Sequence, residues 1–431
     1  MITTRTYVPF SQRLFRRAFI LYFVFLGILN VSFAKFPLVP TAIPLLPTET
    51  LIGIWGIYRI TSFLSGSPQP LVQGRIASWA FWGWASVLFA TSFRDLYGLR
   101  QYMAFAYVVL SFVSYDYFQQ IEDFELVHKL TKVICAIAFF LTVINFFFPG
   151  MKLAQADQTS TYGVYYNSVG AYGAFFLLFF LSIKDLMIGR KFAYLWIAMV
   201  TIWLLFFALH RSAILALVIP LLIYGRGMLL QNVQRFARMF LLLAFAFLAV
   251  NITASFLGGS GTTESGIVNR LTSILHPGGD PNAEWRMHYW SETISEVFSE
   301  PKIEILGSGF WVTPLETKNS RLGEATVLDA PIKGFHSSFV FVLYKTGFVG
   351  LLLLLTIVTQ GIWRSVRTID FDLNVYGMAF VSVAIFAMFN VVLENPYNGF
   401  YFWFFLGAIY AKNEKLFQAY SNQYIESAWA Q

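Results

Sequence analysis

The chain alternates from one end to the other between long apolar runs and short polar breaks. Apolar runs lie near residues 18–34, 45–64, 76–93, 101–117, 131–149, 167–185, 193–209, 211–224, 237–256, 338–360, 376–393 and 399–412. A membrane helix needs about 20 apolar residues, and run 211–224 falls short of that. Within the runs the apolar positions are continuous rather than alternating. That excludes a closed barrel of half-apolar strands and leaves helices as the spanning element. The pattern predicts an all-α fold, a polytopic transmembrane helical bundle of about twelve spans.

One stretch breaks the rhythm. Residues 257–337 form the only long hydrophilic insertion, which divides the chain into helices within 1–256 (about nine), a loop outside the bilayer at 257–337, and helices plus a tail within 338–431 (about three). The loop opens on Gly258 to Gly261, which is no phosphate loop because no Gly-Lys-Ser/Thr follows. Asp280-Pro281 reads as N-cap and first helical position, and Pro301 as a stop. The helix between them is amphipathic, with Trp285, Tyr289, Ile294, Val297 and Phe298 along one stripe for the membrane or the rest of the protein. Earlier in the chain, Pro37, Pro40, Pro44 and Pro47 predict an extended or re-entrant segment.

Composition supports lipid as the solvent. Hydrophobic residues make up 57% of the chain and charged residues only 12%, against roughly 25% charged in soluble domains. The net charge of +7 would suggest nucleic acid in a soluble protein. Here it is better explained by basic residues held at the cytoplasmic face. With the N-terminus inside, that set is Arg16, Arg17, Arg75, Lys129, Lys184, Arg190, Lys191, Arg226, Arg235, Arg238, Arg364, Arg367, Lys412 and Lys415, and every inner loop carries at least one of them. An even number of spans then places both termini in the cytoplasm. The opening Arg13, Arg16 and Arg17 before an apolar run mimic a signal peptide, but no small-residue cleavage site follows, so the run reads as the first membrane helix. Cys135 is the single cysteine, which leaves no disulfide framework.

Candidate chemistry sits in three places. His210 and Arg211 fall between two apolar runs, at the outer face, where a cation opposes the positive-inside bias and is expected to face protein, water or an anion. An arginine snorkelling to lipid headgroups is the alternative. Arg286 lies early in the loop helix; alone it reads as a solvated charge. His336 stands where the loop re-enters the membrane, and a lone interfacial histidine is more often structural than catalytic.

Taken in order, these residues form a pattern. An outer-face arginine (Arg211) is followed by Trp285-Arg286-x-x-Tyr289-Trp290, then Gly307-x-Gly309-Phe310, then His336-Ser337 ahead of a helix punctuated by Gly347 and Gly350. This resembles the O-antigen ligase/polymerase family of bacterial envelope glycosyltransferases, over roughly residues 200–400 by motif and over the whole chain by topology. Lys345 departs from the family, in which acidic or neutral residues are common at that place. The resemblance implies an inner-membrane enzyme with its active site facing the periplasm. Such an enzyme transfers a glycan from undecaprenyl pyrophosphate to a sugar hydroxyl, on a growing polysaccharide or on lipid A–core. In that scheme Arg211 and Arg286 bind the pyrophosphate, whose oxygens a guanidinium fork meets bidentately. His336 takes the proton of the attacking hydroxyl. Asp329 or Glu284 is a candidate to orient the imidazole, and Arg94 and Arg100 are secondary phosphate contacts or headgroup anchors. No cofactor and no metal are expected, since the first outer loop, Lys35 to Thr48, has no carboxylate. The expected partners are the lipid-linked donor, the acceptor glycan and membrane lipids, not nucleic acid. A transporter or flippase of lipid-linked sugars is the competing class. It predicts polar or broken helices near the midplane and paired halves, whereas no internal repeat is evident.

Overall fold

The computed structural model describes residues 9–34, 36–38, 45–66, 75–93, 96–121, 124–147, 169–204, 211–231, 234, 281–310, 336–367 and 370–429. It is nearly all helical, with no strand among the described residues. In chain order the helices are α1 (Phe10–Leu29), α2 (Val31–Ala34), α3 (Pro47–Leu64), α4 (Ile76–Ser92), α5 (Leu96–Ala106), α6 (Val109–Gln120), α7 (Glu125–Phe147) and α8 (Val169–Met187). There follow α9 (Ala193–Ile202), α10 (Arg211–Gln231), α11 (Pro281–Ser299), α12 (Pro301–Leu306), α13 (Ser338–Val366), α14 (Phe371–Phe389) and α15 (Pro396–Trp429). Among the described residues, three helices are both long and apolar enough to cross a membrane: Glu125–Ile144 in α7, and all of α13 and α14. Ala193–Ile202 and Ser212–Tyr224 are shorter apolar helices. The chain is a helical membrane protein.

Local sequence accounts for the helix starts. Proline opens α3, α11, α12 and α15, at first-turn positions where its missing N–H costs nothing. The Ser337 hydroxyl accepts from Val340 N at the head of α13, and the Asp370 carboxylate accepts from Leu373 N at the head of α14.

Helix α14 is the centre of the bundle. It is buried almost throughout between Leu373 and Ala387, with α8, α10, α13 and α15 packed on it. Helix α6 pairs closely with α15, where Gly407 lets the α6 backbone at Ser111 approach. The outward faces carry Phe63, Leu64, Phe140, Leu195 and Leu222 strongly exposed, which suits hydrocarbon rather than water.

Two elements differ from the sequence reading. Run 101–117 is not one helix: α5 and α6 are separated at Tyr107 and Val108, where the backbone tightens to bonds spaced three residues apart. The side chains explain the break, since both residues are buried and the Tyr107 hydroxyl reaches Glu49 of α3 at 2.9 Å. Pro301 ends the loop helix as expected and also starts α12. Run 237–256, the later part of run 193–209, and Pro40 and Pro44 lie outside the described residues.

Charge gathers at one end of the bundle. Lys184 pairs with Asp372, Lys132 and Arg190 with Asp185, and Lys412 with Asp370 at 3.5 Å. Lys132, Lys184, Asp185, Arg190 and Asp372 line a cavity of about 300 Å³, together with His128 and Lys129. Nearby, Asp116 is held by Arg59 and Trp55, and Arg75 stacks on the Tyr115 ring at 3.5 Å. Asp372 is the second residue of α14 and Phe389 its last. At 1.5 Å per residue, this charged end lies about 26 Å from the far end of that helix.

Candidate active site

At the far end of α14, four pieces of chain separated in sequence meet. They are the start of α10, the helix α11, the start of α13, and the α14–α15 connection at residues 390–395. The connection is the hub. Arg286 Nη1 donates to the Phe389 carbonyl at 3.2 Å, tying α11 to the end of α14. Asn390 Nδ2 donates to Ser212 Oγ at 2.9 Å, tying in the residue that follows Arg211. Ser338 Oγ donates to Glu394 Oε2 at 2.6 Å and accepts from the N–H groups of Val392 and Leu393 at 3.0 Å each. Asn390, Glu394, Ser337 and Ser338 are all buried, an expensive amount of polarity to gather beside lipid unless each group is used.

His336 stands two residues before this clamp. Its backbone is in the left-handed region, at φ 44°, which only over-determined surroundings maintain in a non-glycine residue. The Ser337 cap on one side and the Ser338 clamp beyond it supply that constraint. Burial first, and the neighbouring Arg286 cation second, pull the imidazole pKa down to about 4. At neutral pH the ring is therefore uncharged and able to accept a proton. Glu394 behaves oppositely. Burial raises its carboxyl to about 7, against hydrogen bonds from Ser338 and nearby backbone N–H groups that lower it.

The Gly-x-Gly-Phe motif holds the loop to the membrane helix. Gly347 interrupts α13 with φ 65°, ψ −168°, and so frees the carbonyls of the preceding turn. The loop takes them up: Ser308 N donates to Tyr344 O at 2.8 Å and Gly309 N to Lys345 O at 3.2 Å, while Trp84 Nε1 donates to Thr346 O at 3.0 Å. The backbones approach so closely that a Cβ at Gly307 would collide with the Lys345 carbonyl, and one at Gly347 with the Ile305 carbonyl. Phe310 then inserts, fully buried, against Phe89, Tyr102 and Phe105, and its N–H reaches Ser92 Oγ at 3.2 Å. Gly307→Ala is expected to destabilise the protein by more than the roughly 1–3 kcal/mol of left-handed strain alone. Thermal denaturation in detergent checks this against Gly189→Ala, which has the same φ requirement (φ +83°) but open space around it.

Part of the predicted stripe of α11 faces the protein, while Phe298 is half exposed and the Trp285 side chain lies outside the described residues. Tyr289 and Val297 are buried, Ile294 packs on the core, and Phe298 lies against Phe348 with ring centroids 5.7 Å apart. Lys345, the departure from the family pattern, is fully buried beside the Gly347 kink. Of the predicted site residues, Arg286 and His336 come together. Arg211 opens α10 next to Ser212, and Arg100 lies within α5, but the side chains of both, with that of Glu284, are outside the described residues, as are His210, Arg94 and Asp329 altogether. Glu394 was missed. The signal was available, since it is a lone carboxylate between two apolar runs, and such a residue marks function by default. Among the described residues no three His, Cys, Asp or Glu side chains gather as a metal site.

Residues 196–355 match the family model described as O-antigen ligase. This segment belongs to the O-antigen ligase/polymerase family. It contains Arg211, Arg286, both glycine motifs and His336, while the α14–α15 connection that ties them together, Glu394 included, lies beyond it. At the level of the family, the activity is that of a membrane glycosyltransferase. No curated protein matches the chain.

Proposed function

We propose that this protein transfers a glycan from undecaprenyl pyrophosphate to an acceptor sugar hydroxyl on the periplasmic face of the bacterial inner membrane, without a metal ion. The observation that carries this reading is the meeting of Arg286, bonded to the Phe389 carbonyl, and His336, at the clamped head of α13, on the α14–α15 connection. The attacking hydroxyl gives its proton to His336 as its oxygen bonds the anomeric carbon. The anomeric carbon–oxygen bond to the pyrophosphate breaks, and the departing charge is met by Arg286 and Arg211. Orientation is supported by the concentration of lysines and arginines at the opposite end of α14 and by the positive-inside rule. The chain then crosses the bilayer about twelve times with both termini in the cytoplasm.

Reconstitution tests the proposal directly. Purified protein in liposomes is expected to transfer a radiolabelled glycan from undecaprenyl pyrophosphate to an acceptor saccharide, at the same rate with and without a divalent-ion chelator. A strict metal requirement would defeat the arginine-based scheme. Flip of the intact donor across the bilayer without transfer would instead establish the transporter reading.

A further inference from the structure

The proposed mechanism uses His336 and two arginines, and it leaves one ionisable group of the same cluster without a task. Glu394 is 2% exposed, and one of its oxygens takes the Ser338 hydroxyl at 2.6 Å. Among the described residues no side chain other than Ser338 bonds the carboxyl, which otherwise faces backbone N–H groups of residues 392–394. Solvation cannot explain a carboxyl placed so deep, and surface charge balance does not require it there. What the carboxyl does hold is the Ser338 hydroxyl, which is also gripped by two backbone N–H groups of the α14–α15 connection. That hydroxyl sits two residues from the strained backbone of His336. It is also the point at which the head of α13 is fastened to the segment that binds Arg286 through Phe389 O and Ser212 through Asn390.

We propose that Glu394 is a positioning residue for His336. It acts through Ser338, fixing the head of α13 against the α14–α15 connection so that the imidazole keeps its place relative to the arginines. Glu394 does not touch substrate in this scheme and exchanges no proton in the reaction. Its contribution is an accepted hydrogen bond, which a neutral amide can also make. This rests on the assignment of His336 as the base.

The experiment is a kinetic comparison in the reconstituted transfer assay. Glu394→Gln is expected to keep kcat within about threefold of wild type, because the amide oxygen still accepts from Ser338. Glu394→Ala and Ser338→Ala are each expected to lower kcat by about 10- to 100-fold with the donor KM unchanged, the scale of loss that a small misplacement of a reacting group produces. The double variant should be no worse than Ser338→Ala alone, since removing the hydroxyl already removes what Glu394 holds. Wild-type kcat in Glu394→Ala overturns the proposal, and so does a loss confined to KM. An equal loss in Glu394→Gln and Glu394→Ala overturns it too, because the charge rather than the hydrogen bond would then matter. Should Glu394→Ala fail to accumulate in the membrane, Ser338→Ala decides alone, and unchanged kcat there sinks the idea. His336→Ala run alongside separates the two levels. An active His336→Ala variant removes the base assignment itself, whereas an inactive one with wild-type Glu394→Ala removes only the role of Glu394.

Discussion

His336→Ala is expected to abolish detectable glycan transfer while the protein reaches the membrane at wild-type levels. A positioned general base contributes about 10²–10⁴-fold, and the imidazole that α11 carries, His288, is largely exposed and bonded to Glu292. The pH dependence carries a sharper form of the same prediction. In the free protein the imidazole is held down at about 4, so kcat/KM should stay flat through neutral pH and fall only as pH drops through that value. Bound pyrophosphate brings negative charge beside Arg286 and offsets one of the two causes of the depression. The acidic limb of kcat should therefore lie at higher pH than that of kcat/KM. The sign for stability follows from the same shift. The unfolded chain, with a histidine pKa near 6.5, binds more protons between pH 6.5 and 4, so stability declines as pH falls through that window. Full activity in His336→Ala, or an acidic limb of kcat/KM at the unperturbed histidine value, would remove this residue from the chemistry.

The second large effect belongs to the arginines. Arg286→Ala is expected to cost about 10²–10³-fold in kcat, the scale seen when one donor to a developing oxyanion is lost. Arg286→Lys should recover little of it. A lysine keeps the charge but cannot donate to the Phe389 carbonyl and to phosphate oxygens at once from a planar fork, and so loses its anchorage or its ligand. Arg211→Lys should behave in the same way if the guanidinium binds the donor. Turnover at wild-type rates with lysine at both positions would reduce the two arginines to headgroup anchors.

Much of this arrangement could be read from the residues. The apolar runs gave the helical membrane fold, because nothing else satisfies backbone groups in hydrocarbon. Asp280-Pro281 and Pro301 marked α11 to within a residue or two, because proline chemistry is local. The order of Arg211, Arg286 and His336 pointed to the family whose model covers residues 196–355. Three things were not readable. The division of run 101–117 into α5 and α6 depends on Tyr107 finding Glu49, a partner 58 residues away that no local periodicity records. The glycines of the loop and of α13 could be noted but not paired, since their need for small size arises only where two backbones meet. Glu394 stands out as a lone carboxylate between two apolar runs, but its partner could not be read, because Ser338 lies 56 residues earlier.

The joint between the loop and α13 has a mechanical consequence. The amides of Ser308 and Gly309 occupy acceptor sites that an uninterrupted helix would have filled internally, so residues 307–309 stand in for the missing part of a helical turn. A displacement of that stretch, whether by a saccharide resting on it or by the lipid surface beside it, is transmitted as a torque on the first turns of α13, at whose head His336 is carried. Residues 307–309 and the helix that carries the imidazole are thus joined through backbone hydrogen bonds, not through side chains alone.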